Sequence, residues 1–95
     1  MLLDRGFKSG DIVSIKLTTG EELIGSYIEK QETTYKISKP LRLAPMPQGM
    51  GFAPFMFTID PEQSVSLDES HVVFICLTQN EMSKEYIRNT TSIQL

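Results

Sequence analysis

Residues 12–17, Ile-Val-Ser-Ile-Lys-Leu, alternate without a break, with Val13, Ile15 and Leu17 on one side and Ser14, Lys16 and Thr18 on the other. Period-two alternation gives a segment one face to bury and one to leave in water, which describes a half-buried strand. Thr18-Thr19-Gly20-Glu21 follows, and Gly20 can take the positive φ that a hairpin turn demands. The chain then returns through residues 22–30, with Leu23 and Tyr27 on one face and Ile24 and Ile28 on the other. Gly25 stands inside this second strand, where a missing side chain permits a sharp bend or a close backbone approach, and we read it as a barrel corner.

The polar turn Gln31-Glu32-Thr33 leads to a third strand, in which Tyr35, Ile37, Leu41 and Leu43 point one way and Lys36, Ser38 and Arg42 the other. Pro40 has no ladder donor, so it marks an edge or a kink, and it biases Lys39 toward extended geometry. Residues 44–54, APMPQGMGFAP, hold three prolines, two glycines, two methionines and no charge, and no regular element is expected there. The stretch is too apolar for an ordinary solvated loop, which leaves two readings: it packs over the barrel, or the 44–55 loop is a sticky surface for a protein partner.

A fourth strand is expected over residues 55–59, interrupted at Asp60-Pro61-Glu62 and resuming at Val65 and Leu67. After the turn Asp68-Glu69-Ser70, residues 71–77 are apolar on both faces, as in a strand with core on one side and more core or another subunit on the other. Phe55, Phe57, Val72, Phe74 and Cys76 are the candidate subunit-interface residues. Thr78 and Glu81 are spaced as a capping box, which predicts a C-terminal helix over about 79–89. Met82 and Tyr86 at i, i+4 give it a narrow apolar stripe, with Ile93 and Leu95 extending the contact. A helical turn is expected within residues 2–8, so the element order reads helix, five strands, helix.

At 95 residues this is one small domain, 1–95, with the barrel over about 11–78. A chain of this size buries only about 60–65% of the surface its unfolded form exposes, so self-association is an expected source of further burial. A single cysteine makes no intramolecular bridge, and Cys76 with His71 does not supply a four-ligand zinc site. No apolar run approaches the roughly 20 residues of a membrane span, and no apolar signal region follows Met1. Asn89-Thr90-Thr91 fits a glycosylation acceptor but reads as polar tail without a secretion signal. The expectation is a cofactor-free protein of the cytoplasm that does not enter membranes.

Charge is distributed unevenly: residues 1–48 hold seven Lys/Arg and six Asp/Glu, and residues 49–95 hold two and six. Between Leu43 and Ser83 no Lys or Arg occurs, while Asp60, Glu62, Asp68, Glu69 and Glu81 fall there. One surface is therefore acidic, and a broad duplex-DNA footprint is disfavoured. Any nucleic-acid site must be local and multiplied by oligomerisation.

Convergent catalytic groups are scarce. Cys76 and His71 stand five apart on one strand, an odd separation that puts them on opposite faces and disfavours a Cys-His pair; Cys76 reads as a small core residue. Glu21-Glu22 and Asp68-Glu69 read as solvated charges at turns. Phosphate-loop, dinucleotide and zinc-protease spacings are absent from the sequence, and no enzyme is expected.

Residues Asp11 to Tyr27, DIVSIKLTTGEELIGSY, resemble the first Sm motif of Sm-like (LSm/Hfq-type) proteins over about a fifth of the chain. Val13, Ile15 and Leu17 fill the aliphatic places, Gly20 and Gly25 the two glycines, and Tyr27 the large apolar position after the bend. The resemblance implies a mainly β fold, a strongly bent five-stranded antiparallel SH3-like barrel with a short N-terminal helical turn and an appended C-terminal helix. In that family an Asp and an Asn after the second strand cradle a base; here those places are held by Gln31 and Tyr35, with Thr34 between. The usual Ile-Arg-Gly of the second motif is replaced by Glu69-Ser70-His71, so the family's guanidinium is missing. Divergence of this kind resembles members from bacterial viruses and marine bacteria, for which the compartment would be the host cytoplasm.

The family likeness further implies a homo-oligomeric ring on single-stranded RNA, in which Tyr35 stacks a base, Gln31, Thr34, Ser70 and His71 supply hydrogen bonds and Lys36 contacts a phosphate. Each residue has a plainer reading: Tyr35 as core, His71 as a satisfied turn residue, Lys36 as a solvated side chain. The alternative from a different class is a scaffold that keeps the barrel and docks a protein through the 44–55 loop, without nucleic acid.

Overall fold

The computed structural model describes residues 6–91. It contains one antiparallel sheet of six strands: β1 (Ile12–Leu17), β2 (Glu22–Gln31), β3 (Thr34–Met46), β4 (Gly49–Pro54), β5 (Ser64–Asp68) and β6 (Val72–Leu77). One helix, α1 (Asn80–Thr91), follows. The order is β4-β3-β2-β1-β6, with β5 also paired to the first half of β3, and the sheet does not close on itself. The expected helical turn within residues 2–8 lies mostly outside the described residues, and Gly6–Lys8 form no helix. The expected contacts of Ile93 and Leu95 lie wholly outside them.

The opening hairpin forms as its alternation dictates. Ile15 pairs with Leu23 and Val13 with Gly25, and Val13, Ile15 and Leu23 join Tyr27 and Ile37 in the core cluster. Phe7 caps it, its ring 5.4 Å from that of Tyr27. Opposite Gly25 the ladder jumps from Ile24↔Leu41 to Ser26↔Ser38, so Lys39 and Pro40 together face one residue of β2. This is a β-bulge, and it bends β3 where Pro40 stands. A Cβ on Gly25 would collide with Ile37 Cγ2 and lie 3.3 Å from Ser38 O, so the corner closes only over glycine. Lys39 takes φ 51°, left-handed rather than the extended geometry expected before proline, because the bulge turns the chain there.

The proline-rich stretch departs furthest from expectation. β3 runs through the bend to Met46 and returns as β4, a hairpin paired from Met46↔Gly49 to Leu41↔Pro54. Gly51 tolerates the close approach of Met46, whose Cγ would lie 2.7 Å from an added Cβ. The prolines do not prevent pairing, because a missing donor on a free side breaks no ladder bond. Pro54 stands on the outermost strand, Pro45 lies beyond Arg42, where the pairing of β3 with β2 ends, and Pro47 is in the turn. Residues 55–59, expected as the fourth strand, are irregular, and the strand that pairs with the start of β3 begins only at Ser64.

Helix α1 covers the face opposite the core. Tyr86, only 2% exposed, is buried with Ile24 and Ala44 outside the main cluster, and Met82 lines a crevice with Ile24 and Leu43. The predicted Met82/Tyr86 stripe is therefore the docking face. The N-terminal cap is shifted by one residue: Gln79 Oε1 accepts from the Met82 amide at 3.0 Å, while Thr78 hydrogen-bonds Ser14 side chain to side chain at 2.8 Å. The Thr78/Glu81 capping box does not form, because Thr78 is used to tie the end of β6 to β1.

Candidate functional site

Two turns meet at one end of the sheet. The β2–β3 turn, Glu32-Thr33, and the 3-10 turn Glu69–His71 between β5 and β6 are joined by a hydrogen bond from the Glu69 amide to the Thr33 carbonyl at 2.7 Å. Lys30 Nζ bridges the same turns, 2.8 Å from Glu69 Oε1 and 2.9 Å from the Glu32 carbonyl it donates to. These contacts bring Gln31, Thr34 and Tyr35 to the same end as Ser70 and His71, although the two groups are more than 30 residues apart in sequence.

The cross-strand register sorts these residues onto two faces. Lys30, Tyr35 and Leu67 form one row, and Tyr35 and Leu67 pack against the core cluster. Gln31, Thr34 and Asp68 form the next row, and Glu29, Lys36 and Ser66 the row on the other side. Side chains of adjacent rows point to opposite faces, so Thr34 and Lys36 face away from Tyr35. A single ligand base on Tyr35 is therefore not served by Lys36. The cation on the Tyr35 face is Lys30, with Nζ 5.4 Å from the ring centroid. Sequence reasoning missed Lys30 and Glu69; the signal for Lys30 was present, since a two-residue turn places position 30 opposite 35.

Charge at the site is held in place locally. Asp68 accepts from the hydroxyl and the amide of Ser70, which, with the charge of His71 adding less, draws its carboxyl below the usual aspartate range. The Glu69 carboxylate that bonds Lys30 raises the lysine above its ordinary value. His71 is exposed; its carbonyl accepts from the Thr18 amide at 2.9 Å, and it borders a hollow of about 330 Å³ with Thr18, Thr19, Leu67 and Asp68. Among the described residues no group of three or more His, Cys, Asp or Glu side chains is placed to hold a metal ion.

The candidate interface residues are divided by a second bulge. Ile75 pairs with Ile15 and Phe74 with Lys16, but Leu17 pairs with Val72, leaving Val73 over. The extra residue turns Val72 onto the core, while Phe74 and Cys76 stay beside Lys16 and Ser14 on the outer face. Cys76 is thus half-buried on that face rather than in the core. Phe74 is 61% exposed, and Val73 and Leu77 are exposed with it on a strand that pairs only with β1. Phe55 packs against the core and Phe57 is 81% exposed. Phe52, Phe55, Phe57 and Ile59 line a groove of about 380 Å³ with Pro40 and Asn89.

The chain matches no family model and no curated protein. No helix among the described residues is long and apolar enough to cross a membrane.

Proposed function

We propose that the chain is a divergent Sm-like protein that binds single-stranded RNA as a homo-oligomeric ring. The observation that carries this reading is the meeting of the Gln31–Thr34 and Asp68–His71 turns beside the half-buried ring of Tyr35. The order β5-β3-β2-β1-β6 within the open sheet supports this reading, with the β3–β4 hairpin as an addition to the five strands. The edge strand β6, apolar on its outer face, supports pairing with a neighbouring subunit, since an exposed apolar edge otherwise invites aggregation. Stacking on one tyrosine is worth about 1–3 kcal/mol per base, so a site with this many carboxylates relies on repetition around a ring. Gln31 and Thr34 belong to the outer face and Ser70 and His71 to the second turn, and in this reading they supply the hydrogen bonds to RNA.

A fluorescence-anisotropy titration with short U-rich and A-rich RNA at low and moderate salt tests the reading. Saturable binding that weakens with salt and is lost in Tyr35→Ala supports it. Absence of binding at low salt with tens of micromolar protein overturns it. The exposure of Met56 and Phe57 around the apolar groove favours the second reading, a scaffold that docks a protein partner there.

A further inference from the structure

We infer that Lys30 and Glu69 form a latch over Tyr35, opened when nucleic acid draws Lys30 onto a phosphate and a base takes the ring face that the ammonium leaves. The inference rests on the RNA reading above and concerns the regulation of that site.

The ammonium of Lys30 has three donors and three partners: the Glu69 carboxylate at 2.8 Å, the Glu32 carbonyl at 2.9 Å and the Tyr35 ring at 5.4 Å. A base that stacks on Tyr35 needs the space the ammonium fills, so the ring and the bridge cannot both keep their present contacts. Glu69 is the fixed half of the latch, because its amide is held by the Thr33 carbonyl at 2.7 Å. Lys30 is the moving half, a long flexible side chain next to the last residue of β2. Both side chains remain about two-fifths exposed, 36% and 44%, so the pair is screened by water and salt and yields to a polyanion. No neighbouring row supplies another cation to this face, since Lys36 belongs to the opposite one. Lys30 is therefore the phosphate contact for a base on Tyr35, and Glu69 sets its availability.

The test is an anisotropy titration of the full chain with a U-rich single-stranded RNA, comparing the natural sequence with Glu69→Gln, Lys30→Met and the double variant across a salt series. Glu69→Gln should tighten binding roughly two- to five-fold, the scale of an exposed ion pair. Lys30→Met should lower the slope of log affinity against log salt by about 0.7, as expected when one phosphate contact on a single strand is lost. The tightening by Glu69→Gln should vanish when Lys30 is Met, whereas simple removal of a negative charge would act equally with and without Lys30. Glu29→Gln, which removes a carboxylate from the opposite face, should not tighten binding. Tyr35-dependent binding that is unaltered by Glu69→Gln, or a tightening independent of Lys30, overturns the latch and leaves the RNA reading intact. Absence of RNA binding in every variant overturns both.

Discussion

The hydroxyl of Tyr86, on α1, donates to the carbonyl of Lys39 at 2.7 Å, tying the C-terminal helix to the bulge that bends β3. The carbonyl lies at the residue with left-handed φ, where the strand register is interrupted. Helix docking and sheet curvature are thus one structural event.

Tyr86→Phe keeps the buried ring and removes that donor. A lost hydrogen bond that strands a part-buried carbonyl costs about 1–2 kcal/mol. Urea unfolding should show a lower midpoint with an unchanged slope, and an unaltered midpoint would show that the hydroxyl contributes nothing.

Burial pushes the Tyr86 phenol up from 10.0 to about 12. A group with a raised folded value contributes stability that is complete below the unfolded value and is lost as pH rises through the folded one. Stability should therefore decline between about pH 10 and pH 12, by about 1.4 kcal/mol per pH unit and about 2–3 kcal/mol in total from this group. Tyr86→Phe should flatten that part of the curve in a denaturation series.

Gly25→Ala places a methyl against Ile37 Cγ2 and the Ser38 carbonyl. Overpacking of this kind costs about 1–3 kcal/mol, and here it should act on the corner itself. Amide hydrogen exchange at residues 26, 37–39 and 41 should accelerate in the variant; protection equal to the natural chain would mean the corner relaxes freely.

Phe74→Lys puts a charge on the exposed outer face of β6. If this edge joins subunits, a charge inside the seam should drive the assembly to monomer in sedimentation at micromolar concentration, with little change in thermal midpoint of the isolated subunit. An unchanged sedimentation coefficient would remove β6 from the interface. Phe57→Ser, in the apolar groove, separates the two surfaces: it should leave the oligomer intact.

Much of the fold is legible in the residues, and the site only partly so. The 12–17 alternation, Gly20, Gly25 and the Met82/Tyr86 spacing each specify their local geometry, and each lies where that geometry requires. Gln31, Thr34, Tyr35, Ser70 and His71 do gather at one end of the sheet. The alternation of β3 already sets Thr34 and Lys36 against Tyr35, but the joining of Lys30 to Glu69 is not readable from spacing.

Period and turn chemistry are local quantities, so the order of residues was enough to specify the opening hairpin, its glycine corner and the amphipathic helix. Long-range packing set the remainder. The proline-rich stretch became a hairpin because β3 continued past its bend and offered a free edge to pair with. Bulges at Lys39 and Val73 changed which side chains share a face, and one inserted residue reverses a period-two pattern. The Lys30–Glu69 contact exists because folding brought two turns together, a relation between distant segments that no local pattern encodes.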